Sequence, residues 1–440
     1  MGIFFGTDGI RGKVNTELTY DLAYKCGNAL GASEKKPTIL IGQDTRTSGS
    51  FLTIAFSSGA LNAGANVIDV GICPTAGIAY LTKRTNADYG VVISASHNPA
   101  EYNGIKIFDK NGIKLGDLRE NQLERKFVNS KMVQASEIGT YTQNKKIVNL
   151  YQNYLISCCE TTLENLKVVL DSSNGASYKI APEVFSKLGA KVIKLNCKND
   201  GANINNNCGS LHPKNLSDAV IKHNANCGFA FDGDSDRIIA CDELGNILDG
   251  DIIIFMLAKY LKTKNLLNKN TVVGTRHTNM GLEEELNEMG IKLERTDIGD
   301  KYVLEKMEQD ELNLGGEKSG HIIFRDLATT GDGVLTAVKL SEMMNKTNKK
   351  LSELAYAKLY PQCNIDCIVQ DKMHVINSEK LSQCINQEES KLGNDARIMV
   401  RVSGTEPKIR IMVECKDENM AKNSANTIAQ IVKIIDNKEV

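Results

Sequence analysis

A chain of 440 residues is too long for one hydrophobic core and implies about three or four domains. Apolar residues make up 41% and the formal net charge is −1, with basic and acidic residues interspersed. That composition excludes a mainly disordered chain and offers neither a nucleic-acid groove nor a membrane-binding face. The start, Met1 to Asp8, has no basic or apolar leader region, and apolar runs such as 252–258 are far too short to span a bilayer. The twelve cysteines are scattered without zinc-type spacing, so reduced buried thiols and a cytoplasmic location are expected.

The first signal in chain order is 5–12, where three glycines surround Asp8 and Arg11; alone it is weak. A strand over 38–42, a helix-length stretch and a glycine then lead into a second strand ending at 70. The pattern recurs from 167–171 to 188–195 and from 271–275 to 289–295. Each glycine (Gly64, Gly189, Gly290) fits the left-handed position just past a helix. Strand–helix–strand units of this kind predict parallel pairing, and three of them predict three related α/β domains. Arg46, after the first strand, is a candidate for function or for a structural pair with Asp44.

The strand 90–93 runs into Ser94-Ala95-Ser96-His97-Asn98-Pro99. Pro99 stops the strand and leaves the Ser96 hydroxyl on a loop, where it could be a nucleophile with His97 polarising it or its phosphate. A turn held by the Ser96 and Asn98 side chains is the simpler reading of this segment alone. No Gly-x-Ser-x-Gly elbow supports a hydrolase.

Asp232, Asp234 and Asp236 alternate in a loop between the apolar strands 228–231 and 238–240. Three such carboxylates repel unless a cation neutralises them, and all-oxygen ligation suits magnesium or calcium. An EF-hand needs glycine at the sixth loop position, where Arg237 stands, and needs helices as flanks. In 315–321, Gly315, Gly316 and Gly320 alternate with Glu317, Ser319 and His321; a sugar-binding loop and an ordinary tight turn are both open.

The C-terminal part reads strand 364–369, helix 379–392, strand 397–402, strand 409–414 and helix 419–435, an α+β domain with a hairpin. Its turn carries Ser403, Gly404 and Thr405 between Arg401 and Arg410, with Lys408 nearby. Three cations around a glycine turn favour a phosphate over a plain hairpin.

Taken together, FGTDGIRG from Phe5, SASHNP from Ser94, NGIK from Asn103, DGDSDR from Asp232, GGEKSGH from Gly315 and SGTEP from Ser403 resemble the α-D-phosphohexomutase superfamily, in family order and near family spacing. The opening motif and the segments 279–282 and 299–307 resemble the bacterial glucosamine-phosphate enzymes most, with mannose and glucose enzymes as alternatives. The resemblance implies three related α/β domains with mixed sheets and flanking helices, over 1–145, 146–247 and 248–358, plus a C-terminal α+β domain over 359–440, around a central cleft. It implies a phosphoryl-carrying Ser96, and Mg2+ held by Asp232, Asp234, Asp236 and phosphorylated Ser96. Arg11, His97 and Lys106 would act at the transferring phosphate, Lys106 as a proton shuttle of lowered pKa. Arg237, Glu317, Ser319 and His321 would contact the substrate. Arg401, Ser403, Gly404, Thr405 and Arg410 would hold the other phosphate. A glucose or glucosamine 1,6-bisphosphate activator, a phosphosugar as the small-molecule partner and a homodimer complete the expectation. A non-catalytic metal-binding protein and a phosphoserine phosphatase are the alternatives from other classes.

Overall fold

The computed structural model describes residues 4–6, 8–129, 131–403 and 407–437. The first sheet comprises β1 (Phe5–Gly6), β2 (Gly9–Lys13), β3 (Thr38–Gln43), β4 (Asn66–Ile72), β5 (Tyr89–Ile93), β6 (Tyr102–Asp109) and β7 (Tyr141–Gln143). Their order is β1-β2-β6-β5-β3-β4-β7, with β3 parallel to β4 and β5, and β6 antiparallel to β5 and β2. The second sheet, β8 (Lys167–Asp171), β9 (Lys191–Leu195), β10 (Cys227–Phe231), β11 (Ile238–Asp242) and β12 (Ile247–Leu248), has the order β12-β11-β10-β8-β9. The third is β14-β13-β15-β16, from β13 (Thr271–Thr275), β14 (Lys292–Thr296), β15 (Leu314–Gly316) and β16 (Ile322–Phe324). All three sheets are mixed and helix-flanked, as expected.

The three repeats share one joint. A helix (Gly49–Asn62, Ile180–Lys187 or Met280–Glu288) ends at a left-handed glycine, with φ of +90° at Gly64, +96° at Gly189 and +67° at Gly290. Side chains rarely adopt that conformation, so glycine lets the chain reverse tightly into the following parallel strand. Strands β5 and β10 are buried along their whole length because helices cover both faces of their sheets. Their carboxyl ends carry the serine and aspartate loops, where open α/β sheets place ligand sites.

The last sheet is all antiparallel, β17-β19-β18, from β17 (Gln362–Ile368), β18 (Ala396–Val402) and β19 (Lys408–Cys415). Helices Glu379–Leu392 and Glu418–Asp436 pack their apolar faces on it around Leu381, Ala425, Ile428 and Val432. A short helix not anticipated from sequence, Lys372–Ile376, is capped by the Asp371 carboxylate, which accepts from the Met373 and His374 N–H groups.

The chain divides into two compact units, Met1–His277 with Gly290–Tyr356, and Thr278–Met289 with Ala357–Val440. The helix of the third repeat therefore groups with the C-terminal sheet. Asn279 accounts for this: its amide donates to the Tyr360 carbonyl and accepts the Tyr360 N–H, both at 2.9 Å. Among the described residues, no helix is long and apolar enough to cross a membrane.

Candidate active site

Ser96 is fully buried, with a left-handed φ of +52°, a conformation that costs a non-glycine residue about 1–2 kcal/mol. Its neighbours hold it there. The Ser96 N–H donates to Ser94 Oγ at 2.9 Å, and Ser94 Oγ donates to Asp44 at 2.6 Å. Arg46 lies below the loop, 1% exposed, with every N–H of its guanidinium engaged. Nε donates to Asp44, Nη1 to the Pro99 and Tyr102 carbonyls, and Nη2 to those of Ser96 and Asn98. The structural pairing with Asp44 is thus real, and the same arginine fixes the serine loop. Asn205, from the second sheet's region, adds a 2.8 Å bond to the Ser96 carbonyl.

The Ser96 hydroxyl donates to Asp232 Oδ2 at 2.6 Å. Asp232, Asp234 and Asp236 are buried, each offering a ligand oxygen within 4.8 Å of the others. Burial and the neighbouring charges of Asp236 and Asp234 push the Asp232 carboxyl well above its ordinary range. Asp234 accepts from Thr75 Oγ at 2.6 Å and Lys106 at 2.8 Å, and Asp236 from Lys106 at 2.9 Å. Asp234 Oδ1 and Asp236 Oδ1 accept no hydrogen bond, although buried carboxylate oxygens are costly to leave unmatched. Two orphaned oxygens in an all-carboxylate set fit a hard cation. The loop is a turn, with the Ser235 N–H bonded to the Asp232 carbonyl at 3.1 Å and Ser235 at φ +61°.

The expectation of a lowered Lys106 pKa is overturned in this structure. Burial alone would lower it, but Asp234, Asp236 and Asp8 surround the ammonium and hold it well above its usual range. Lys106 is thus a fixed cation here. His97 behaves oppositely: burial, then the charges of Arg237 and Arg11, depress it to about 3. Its Nδ1 lies 3.0 Å from Arg237 Nη1 and 3.3 Å from Ser96 Oγ. A neutral ring whose Nδ1 accepts from arginine is no base for Ser96.

Arg11 pairs with Asp8 and reaches Asn98 Oδ1 at 3.4 Å. Sequence reasoning assigned no role to Asp8 and missed its continuation: Lys114 bridges Asp8 at 3.3 Å and Asp300 at 2.8 Å. Burial opposes the charge on Lys114, yet Asp300 and Asp8 raise it to about 12. Asp8 and Asp300 fall inside segments singled out from sequence, whereas Lys114 falls in none of them.

Glu317, Ser319 and His321 sit on the hairpin between β15 and β16, which is a tight turn closed by Glu317 N–H to the His321 carbonyl at 3.1 Å. The Gly320 carbonyl accepts the Ile238 N–H at 3.0 Å, docking the turn beside the strand that leaves the aspartate loop. Glu317 accepts the Gly299 N–H at 3.0 Å and lies 3.4 Å from Ser319 Oγ. Burial works against the Arg237 charge, but Asp236, Asp232 and Glu317 sustain it, so this arginine sits amid both loops' carboxylates. His321 is 3% exposed; its Nε2 accepts the Gly331 N–H at 2.9 Å, leaving the proton on Nδ1, 3.9 Å from Asp236. Burial works against the charged ring, but Asp236 and Asp300 raise its pKa; the Gly331 N–H, needing the Nε2 lone pair, is met by the neutral tautomer.

In the second unit, Arg401 on β18 stands directly opposite Arg410 on β19. Burial and that like charge lower the Arg401 pKa. Ser403 is buried, its N–H bonded to the Lys408 carbonyl at 2.9 Å, and its carbonyl accepts from Lys372 at 2.8 Å. Lys372 was not anticipated. Lys408 lies 3.7 Å from Asp366. Gly404 and Thr405 lie outside the described residues.

The chain matches the family described as phosphoglucomutase/phosphomannomutase through its alpha/beta/alpha domain I over residues 2–134, domain II over 148–245, domain III over 249–361 and C-terminal domain over 365–431. It is 45% identical to a phosphoglucosamine mutase of Clostridioides difficile (strain 630), covering 98% of this chain and 99% of the relative. It is 44% identical to one of Clostridium novyi (strain NT) with the same coverage. Among solved structures, a phosphoglucomutase/phosphomannomutase family protein from Burkholderia thailandensis shares the fold at a TM-score of 0.84 and 23% identity, over 98% of this chain and 97% of that one. The N-acetylphosphoglucosamine mutase of Aspergillus fumigatus, solved with GlcNAc-6P and magnesium, shares it at 0.69 and 16%, over 99% and 96%. This chain belongs to the phosphoglucosamine mutase family, within the phosphoglucomutase/phosphomannomutase superfamily.

Proposed function

We propose that the chain interconverts glucosamine 6-phosphate and glucosamine 1-phosphate, a step toward UDP-N-acetylglucosamine, through phosphorylated Ser96 and a 1,6-bisphosphate. The observation that carries this reading is the Ser96 hydroxyl 2.6 Å from a buried aspartate triad with two orphaned oxygens. Phosphorylated Ser96 gives its phosphoryl group to the free sugar hydroxyl: the P–Oγ bond breaks, a P–O bond to the sugar forms, and the hydroxyl proton passes by way of Asp232 to the released Ser96 Oγ. The bisphosphate turns over, and Ser96 Oγ attacks the other phosphoryl group: a P–Oγ bond forms, the P–O bond to the sugar breaks, and the serine proton passes by way of Asp232, its present acceptor, to the released sugar oxygen.

Asp232, Asp234 and Asp236, with phosphorylated Ser96, would hold Mg2+. Bound there, the ion offsets charge on the transferring group, the main catalytic need in phosphoryl transfer. Arg11 and the fixed cation Lys106 add to that offset, and neutral His97 donates or accepts only hydrogen bonds. Glu317, Ser319 and Arg237 contact the sugar phosphate. His321, held by Gly331, orients Asp236 in place of touching substrate. In the second unit, Arg401, Ser403 and Arg410 bind a phosphate, with Gly404 and Thr405. We assign the three α/β domains to 1–145, 146–247 and 248–358 and the last to 359–440. Glucose or glucosamine 1,6-bisphosphate primes Ser96, the reaction belongs in the cytoplasm, and light scattering on the purified chain tests the expected homodimer.

The experiment is phosphorus NMR of glucosamine 6-phosphate with Mg2+ and a trace of glucose 1,6-bisphosphate, for the wild type and Ser96→Ala. A glucosamine 1-phosphate signal that vanishes in the variant supports the reading, and mannose and glucose phosphates rank its substrates. Phosphorylated protein that turns over no hexose phosphate would sink it.

A further inference from the structure

The first unit holds a cavity of about 450 Å3 lined by none of the residues assigned above to catalysis, metal or substrate. Tyr80 and Tyr154 contribute stacked rings with centroids 4.4 Å apart and planes at 18°. Lys83 and Arg84 reach it from the last turn of helix Thr75–Arg84, and Arg325 from just after β16. Among the described residues, none of these three cations is ion-paired to a carboxylate.

Cations at a helix C-terminus often answer only its exposed carbonyls. That accounts for Lys83 and Arg84 but not for Arg325, which comes from a different sheet to the same cavity. The acidic lining residues are committed elsewhere: Asp326 accepts from Asn313 at 2.9 Å, and Asp332 accepts from the Tyr151 hydroxyl at 2.7 Å and the Leu335 N–H at 2.9 Å. A net positive rim beside an aromatic stack remains.

We propose that this cavity binds a nucleoside phosphate, its base against the tyrosine pair and its phosphate held by Lys83, Arg84 and Arg325. The volume lies in the range of about 300–1,000 Å3 usual for small-molecule sites. Stacking on an aromatic ring suits any planar base, and arginine grips phosphate oxygens through paired N–H groups. The ligand would also touch Thr330 and Asp332. That segment braces the metal loop: the Gly331 N–H meets His321 Nε2 at 2.9 Å, and the Gly333 N–H meets the Ser235 carbonyl at 3.0 Å.

Calorimetric titration of the full chain with ADP, repeated under saturating glucosamine 6-phosphate, tests this independently of turnover. ADP is expected to bind equally well with the sugar phosphate present. Arg325→Ala is expected to weaken it roughly tenfold without changing basal activity, and ribose 5-phosphate, lacking the base, to bind roughly tenfold more weakly than ADP. Absence of ADP binding, its displacement by the sugar phosphate, wild-type affinity in Arg325→Ala, or equal binding of ribose 5-phosphate would each overturn the proposal.

Discussion

Around Ser96, Lys106 meets three carboxylates and Lys114 two, all deeply or largely buried. On the hairpin of the second unit, Arg401 instead faces Arg410, with Asp366 the acidic residue across from Arg410 in β17. Buried charge must be matched at assembly, because desolvation without partners costs several kcal/mol per ion. A half-exposed arginine pair tolerates like charge because water screens it. The first region therefore holds its charges in fixed pairs, while the second sets like charges side by side, as the phosphate capture proposed above would require.

If Ser96 carries the phosphoryl group as proposed, its removal breaks the first region outright: Ser96→Ala should lower kcat by roughly 10^4-fold or more, read by coupled assay at saturating substrate. Arg46→Lys cannot satisfy the carbonyls of Ser96, Asn98, Pro99 and Tyr102 together. A serine loop displaced by an ångström should cost kcat about 10^2-fold while KM changes little.

Asp332 sharpens the comparison, because it is buried charge without a cation. Burial holds its carboxyl up at about 6 against an ordinary 3.8. Between those values the folded chain keeps a proton that the unfolded chain has released, so stability falls as pH rises from 3.8 to about 6 and stays reduced above. Asparagine caps helix Gly333–Thr347 equally well. Asp332→Asn should gain up to about 2 kcal/mol at pH 7.5 and nothing at pH 3.5, measured by urea unfolding at both. The smallest effect belongs to the capture region: Arg410→Ala should raise KM about tenfold with kcat nearly kept. The wild-type KM should itself climb with salt, whereas the Arg410→Ala value climbs less.

The strand–helix–glycine joints were legible because a parallel return after a helix demands both an apolar strand and a left-handed residue, which only glycine at 64, 189 and 290 supplies cheaply. The C-terminal hairpin and both long helices were legible from periodicity, and helix Glu379–Leu392 matches its expected bounds. The aspartate loop was readable as a converging carboxylate cluster, and the structure brings ligand oxygens of Asp232, Asp234 and Asp236 within 4.8 Å of one another. The left-handed turn inside it, with φ +61° at Ser235, had no glycine to mark it. Partners far apart in sequence left no trace. Lys114 and Asp300 are separated by 186 residues, and Gly331 has no motif to link it to His321, though any Cβ at that glycine would sit 2.5 Å from the ring. The charge state of Lys106 failed for the same reason, since its three carboxylates come from two other segments.

Arg46 ties together five chain positions within the first sheet's region, but two further partners of Ser96 come much later: Asn205, 109 residues on, and Asp232, 136 residues on. On a ribosome, then, the serine would emerge long before the groups that complete its surroundings. A nascent chain stopped short of residue 232 would carry Ser96 without the carboxylate that accepts its hydroxyl, so the serine's surroundings close only once the second sheet's strands are being made.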